Sequence, residues 1–205
     1  MSEPYLIRLC ATLSKSNLSK FLSLSFPAFD EQHVVLGALR MDEEMLALNN
    51  WTREKELYYY READKHFRDI TIKAFLDDAS TYGPFIFTYD EANAQLEIQV
   101  EGDENTYMCN MILLGMLQIA GLCERATLCL GCIYGDTDVP YAAECVNGQL
   151  THFTTDKEPE RLELAKTEFM QSYETLYKKF EALEDDGPGS KALMDSLNQL
   201  SAFDA

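Results

Sequence analysis

Residues 85–101, FIFTYDEANAQLEIQVE, decide the fold class. Phe85, Phe87 and Tyr89 recur at every second position, and Leu96, Ile98 and Val100 repeat the pattern after an interval of polar residues. A period of two puts each trio on one face of a strand, and Asp90-Glu91-Ala92-Asn93-Ala94 between them makes a turn of hairpin length. On the second strand the opposite face reads Gln95, Glu97, Gln99 and Glu101, a row expected to face water.

Working downstream, Tyr107 to Cys123 is apolar except at Asn110 and Gln118. Seventeen residues fall short of the ~20 that span a bilayer, and Asp103, Glu104 and Glu124 flank them where an anchor would carry Lys or Arg. The segment is expected to form a buried core helix over 105–123. Thr127 to Tyr134 is apolar on both faces, as a central strand would be. Asn147-Gly148 joins the strands Tyr141–Val146 and Gln149–Thr154, because both positions of a type I′ turn tolerate positive φ. A long helix over 158–184 follows, its seam running through Leu162, Ala165, Phe169, Tyr173, Leu176, Phe180 and Leu183. Thr155 with Glu158 has the spacing of a capping box, Pro159 suits a first turn, and the seam is expected to pack on the sheet.

Upstream, Leu57, Tyr60, Phe67, Ile70 and Ala74 mark one face of a helix over 52–78, stopped by Tyr82-Gly83-Pro84. The first fifty residues say less: a strand over Tyr5–Leu13, a short helix over Ser16–Leu24, and an ambiguous stretch over Asp30–Asn50. The expected architecture is α+β, an antiparallel sheet of about five strands packed by helices near 52–78, 105–123 and 158–184. Residues 1–186 form one domain. Gly187-Pro188-Gly189-Ser190 opens a linker and a short amphipathic appendage over 187–205.

Charge is the other informative feature. The chain has 35 acidic and 17 basic residues, a formal net charge of −18. Between Lys73 and Lys157 thirteen carboxylates meet one base, Arg125. Such a surface attracts basic partners and repels phosphate backbones, so direct nucleic-acid binding is not expected. An apolar share of 46% argues against disorder. The residues MSEPYLIRLC lack the pattern of a secretory signal, and six cysteines without one read as reduced thiols in a cytoplasmic protein.

Chemistry-bearing motifs are sparse. Cys129, Cys132, Cys145 and His152 have the composition of a zinc set, but residues three apart on a strand point to opposite faces unless a bulge intervenes. Small buried thiols are the expected reading, with no metal or other cofactor. Asp136 and Asp138 share a turn that would suit either turn chemistry or a divalent ion. His33, His66 and His152 stand in no recognisable catalytic setting, and the chain has no GxGxxG, GxxxxGK[ST] or GxSxG.

The expected function is therefore non-enzymatic: an acidic protein that neutralises a basic partner, such as a nuclease or nucleic-acid-binding protein. Immunity proteins and nucleic-acid mimics offer an analogy of charge. The contact residues expected are Asp90, Glu91, Glu97, Glu101, Asp103, Glu104, Asp136 and Asp138, with Trp51, Tyr58 and Tyr59 as aromatic anchors. Two alternatives belong to other classes. Over 84–184 the order hairpin, apolar helix, strands, long helix is similar to that of small acidic secretion chaperones, which implies cargo holding and a homodimer through the apolar helix. A metal-dependent enzyme would use Asp136 and Asp138 or the Cys/His set.

Overall fold

A computed structural model of the chain describes residues 5–29, 43–48, 50–80, 85–101, 106–132, 138–154, 157–181 and 188–203. Strand β1 (Tyr5–Thr12) leads into helix α1 (Lys15–Ser23), where the Ser14 hydroxyl accepts the Asn17 N–H at 3.2 Å as an N-cap. A short helix, α2 (Glu43–Leu48), precedes α3 (Arg53–Phe67) and α4 (Ile72–Ala79). Then come β2 (Phe85–Asp90), β3 (Gln95–Glu101) and α5 (Thr106–Leu117), the last continuing as a 3₁₀ turn over Gln118–Gly121. The remaining elements are β4 (Arg125–Cys132), β5 (Asp138–Val146), β6 (Gln149–Phe153), α6 (Pro159–Glu181) and α7 (Pro188–Ser201).

The six strands make one antiparallel sheet in the order β2-β3-β1-β4-β5-β6. The fold is α+β as expected, with one strand more. The additional pairing comes from β1, which occupies the middle of the sheet. Its alternation explains the position: Ile7, Leu9 and Ala11 enter the main core, while Leu6 joins a smaller cluster on the other face.

The main core lies between the sheet and helices α1, α3, α4 and α5. Residues Cys109 to Met116 of α5 are buried on every side, so the apolar helix is covered within the chain. Gly115 is where α5 meets Phe26: a Cβ there would stand 2.4 Å from the ring. Among the described residues no helix is long and apolar enough to cross a membrane.

The expected helix over 52–78 is two helices. Asp69 takes a positive φ of 69°, and the Thr71 hydroxyl caps α4 by accepting the Ala74 N–H. Backbone bonds to a distant segment pin the break, from Phe26 N–H to Ile70 O and from Ile72 N–H to Leu24 O. Ile70 preserves the apolar spacing through the turn, which is why periodicity alone joins the two helices.

The long helix starts at Pro159, not after a Thr155 cap. Glu158 has a φ of 57°, and Thr154 and Lys157 exchange backbone hydrogen bonds just before it. Proline at the first helical position needs no N–H partner, so it suits this tight entry. The expected packing on the sheet holds: Leu162, Phe169, Ala165 and Tyr173 meet Leu6, Ile86, Cys129, Ala142 and Phe153. The ring of Phe169 rests on Gly131, where a Cβ would come within 2.4 Å. Leu176, Phe180 and Leu183 have side chains outside the described residues, as does most of Asp30–Asn50.

Helix α7 lies along the outer strand β2. Leu200 is fully buried, Phe203 meets Phe87 and Tyr89 edge-on, and the Tyr89 N–H donates to Gln199 Oε1 at 2.7 Å. The amphipathic appendage thus covers a sheet edge.

One core residue works against stability. Asn110 on α5 is 0% exposed, and among the described residues neither its Oδ1 nor its Nδ2 has a hydrogen-bond partner. A buried amide left unpaired carries its full desolvation cost. Replacing it with leucine, which repeats its branching without polar atoms, is expected to stabilise the protein by about 1–3 kcal/mol. An increased urea midpoint at unchanged m-value would show the gain.

Candidate functional site

The α6 face of the sheet is divided. Helix α6 crosses the end where β1 begins, and the rest of that face carries polar side chains. Arg8 on β1 pairs in register with Gln99 on one side and Cys129 on the other. Its Nε–H donates to Glu97 Oε1 at 3.1 Å. Gln99 Nε2 donates to the same oxygen at 2.8 Å and to Ser172 Oγ of α6 at 2.7 Å. Strand pairing thus sets two partners of Glu97, and the helix supplies the end of the network.

These residues line a cleft of about 400 Å³, completed by Ile86, Glu168 and Gln171. Gln99 differs here from the wet row expected of it. It is 2% exposed, because α6 lies over that part of β3. Its Oε1 is buried and accepts no hydrogen bond from the described residues. The amide cannot be turned over to relieve this, since its oxygen would then face the Glu97 carboxylate at 2.8 Å.

The described backbone places the expected acidic contact residues at both ends of the sheet. Asp90 serves its own turn, accepting the Ala92 and Asn93 N–H groups and the Asn93 side-chain amide. The Asn93 bonds, side chain first, hold its carboxyl below the ordinary range. Glu91 pairs with Lys15 at 2.9 Å, and Glu97 with Arg8. Glu101 ends β3 opposite Leu6, and Asp138 opens β5 opposite Cys132, so both belong to the sheet end away from Asp90 and Glu91. The side chains of Glu101 and Asp138, and all of Asp103, Glu104 and Asp136, lie outside the described residues. Glu144, which was not among the expected contacts, is shared by Arg125 and Arg161.

The aromatic anchors stand on the opposite side of the sheet, with α3 and α5. Trp51 stacks on Tyr59 at 5.0 Å, Tyr59 on Tyr107 at 5.4 Å, and Lys55 Nζ sits 4.5 Å above the Trp51 ring. Tyr60 is core, as expected, while Tyr58 stays 55% exposed with its ring edge against Tyr59. The nearby Leu48 is 70% exposed. One rigid contact cannot engage both this ledge and the Glu97 cleft.

Cys129 and Cys145 of the expected zinc set stand on opposite faces of the sheet. Cys129 shares the α6 face with Arg8, whereas Cys145 faces the main core, opposite Leu150 and diagonal to His152. A register shift between Leu130 and Cys132 supplies the bulge that the spacing left open, but the Cys132 side chain lies outside the described residues. His152 Nδ1 is hydrogen-bonded to the Tyr141 hydroxyl at 2.6 Å, and the Cys145 thiol reaches Ala120 O at 3.6 Å. Burial pushes the Cys10 thiol up to about 11 and Cys129 up to about 12, so both stay protonated at neutral pH.

Sequence reasoning missed the cleft. Arg8, Gln99, Glu168 and Ser172 are separated by up to 164 positions, and only the central placement of β1 and the crossing of α6 join them. No protein-family model, curated protein or solved structure matches this chain.

Proposed function

We propose that this is a non-enzymatic acidic binding protein, which captures a basic protein and covers the surface that protein would offer to phosphates. The observation that carries the reading is the charge excess of −18. Each internal ion pair consumes one acid and one base, so no arrangement of pairs reduces that excess. The pairs of Glu91 with Lys15, Glu97 with Arg8 and Glu144 with Arg125 and Arg161 only decide where it remains. A field of this sign steers a cationic partner and speeds its association at low salt. Tyr58, Trp51 and Leu48 would add an apolar contact that slows release.

The secretion-chaperone alternative gains no support, because the helix meant for dimerisation is already covered by α3 and the sheet. The test is affinity capture from lysate of the source cells at low and at high salt. Retention of a basic protein that salt releases is the expected result, and retention of none at low salt would remove the reading. Joint charge reversal at Glu101, Asp103 and Glu104 is expected to slow association by about tenfold at low salt. Reversal at Glu97 is less informative, since it also breaks the pair with Arg8.

A further inference from the structure

Helix α3 turns to solvent a face that is complementary to itself. Tyr60, Ala63 and Phe67 enter the core, and Tyr58 stands on the opposite side of the helix. The exposed residues around Tyr58 are Glu54, Lys55, Arg61, Glu62 and Lys65. At about 100° per residue, Lys55 and Glu62 fall on one side of Tyr58, one turn before it and one turn after. Glu54 and Arg61 fall on the other side, again one before and one after. One side therefore reads base then acid, and the other acid then base. A copy of the helix laid across in the reverse direction meets both sides with opposite charge at once.

The charge balance of α3 selects the occupant. Four bases and four acids lie within Arg53–Phe67, so this helix has no share in the net −18. A partner of a single sign would meet as many repelling groups here as attracting ones, whereas a second copy presents each group with its opposite. Repulsion between the remaining charges of two copies is screened beyond roughly 8 Å at an ionic strength of about 0.15 M. The apolar part of the contact is already outside: Tyr58 and Leu48 are exposed, and Trp51 lies beside them under Lys55.

We infer that α3 is the contact of a homodimer, with the two helices antiparallel. Tyr58 meets Tyr58 of the second copy at the centre, Lys55 pairs with Glu62 on one side, and Glu54 pairs with Arg61 on the other. Antiparallel order also opposes the two helix dipoles. The contact is small. Fifteen residues make a helix about 22 Å long, and the face it offers falls below the ~800 Å² that each partner gives to a stable complex. The dimer accordingly exchanges with monomer. It forms through α3, not through the covered helix α5, and it goes beyond the proposed capture because it needs no other protein. A captured partner that reaches Tyr58 must displace the second copy.

The experiment is sedimentation equilibrium of the full chain at an ionic strength of about 0.15 M, from about 5 μM to about 1 mM protein. Wild type is expected to pass from monomer to dimer within that range. Tyr58→Ala, an exposed change, should weaken the dimer about tenfold or more. Lys55→Glu and Glu62→Lys each set like charges against one another and should weaken it about fivefold. An equimolar mixture of these two variants restores base against acid across the contact, although both chains remain strongly acidic. Its association should return to within about threefold of wild type.

Wild type that stays monomeric up to about 1 mM would overturn the inference. So would a dimer indifferent to Tyr58→Ala, or a mixture that associates no better than either variant alone. The two proposals fail separately. Monomeric wild type that still captures a basic protein from lysate sinks the dimer and leaves the broader function standing. A dimer rescued in the mixture, with no basic protein captured, does the reverse.

Discussion

Phe169→Ala is expected to destabilise the protein by about 3–5 kcal/mol, the range for removing a buried aromatic ring. Phe169 is a wholly buried aromatic side chain of the small cluster on the α6 face. Its ring rests on Gly131, and the backbone there can shift little, being hydrogen-bonded within β4 to β1. A cavity would therefore persist in place of the ring. Because α6 also supplies Glu168, Gln171 and Ser172, the variant should lose the cleft as well as stability. Chemical denaturation would give the first quantity, and the NMR signals of Gln99 and Ser172 the second. Gly131→Ala tests the same contact from below, and crowding of the ring should cost about 1–3 kcal/mol. Wild-type stability in both variants would mean that α6 is held by something other than this contact.

Removing residues 188–205 is the second large perturbation. It takes away Leu200, Leu193 and Phe203, whose contacts with the core represent on the order of 5 kcal/mol of apolar burial. The damage should not stop at stability. Strand β2 is an edge of the sheet, and without Gln199 the Tyr89 N–H loses its acceptor. An uncovered edge with Phe85 and Phe87 beneath it is a template for pairing with another chain. The expected outcome is a lowered midpoint of thermal unfolding together with concentration-dependent oligomers in light scattering. Gln199→Leu separates the two effects, since it preserves burial while removing the acceptor. A truncated chain that stays monomeric and fully stable would show α7 to be dispensable.

Local signals in the sequence were sufficient for the parts of the fold that are themselves local. The alternation over 85–101 predicts both strands and their turn, and Asn147-Gly148 marks the β5–β6 hairpin at the residues observed, with φ of 51° and 79°. The apolar run after Tyr107 predicts α5. What escaped was non-local. Nothing within Tyr5–Thr12 says that it pairs with residues 95–101 on one side and 125–132 on the other. The break at Asp69 depends on backbone bonds that the Phe26 N–H donates to Ile70 O and the Leu24 O accepts from Ile72 N–H, which no helical periodicity records.

The same limit governs the candidate site. Acids adjacent in sequence were expected to share a surface, but a strand carries its two ends far apart. Asp90 and Glu91 accordingly sit at one end of the sheet, and Glu101 at the other. Pairing is equally remote: Arg8 finds Glu97 across 89 positions and Lys15 finds Glu91 across 76. A run of like charge in the chain is therefore divided between the two ends of the sheet, while the total excess is unaffected. Gln99 shows the converse. Alternation correctly gives its face, and only the path of α6 decides that the face is covered.

The middle position of β1 also sets a schedule for biosynthesis. This strand leaves the ribosome ahead of both neighbours, and its second neighbour is complete only when Cys132 has been added. At typical elongation speeds of about 5–20 residues per second, the nascent segment waits roughly ten seconds before the sheet can close around it. Leu6, Ile7 and Leu9 have no native strand beside them until β3 is complete at Glu101, and only one until Cys132, so the yield of soluble product should respond to translation rate and to the supply of chaperones more than the finished protein's stability would suggest.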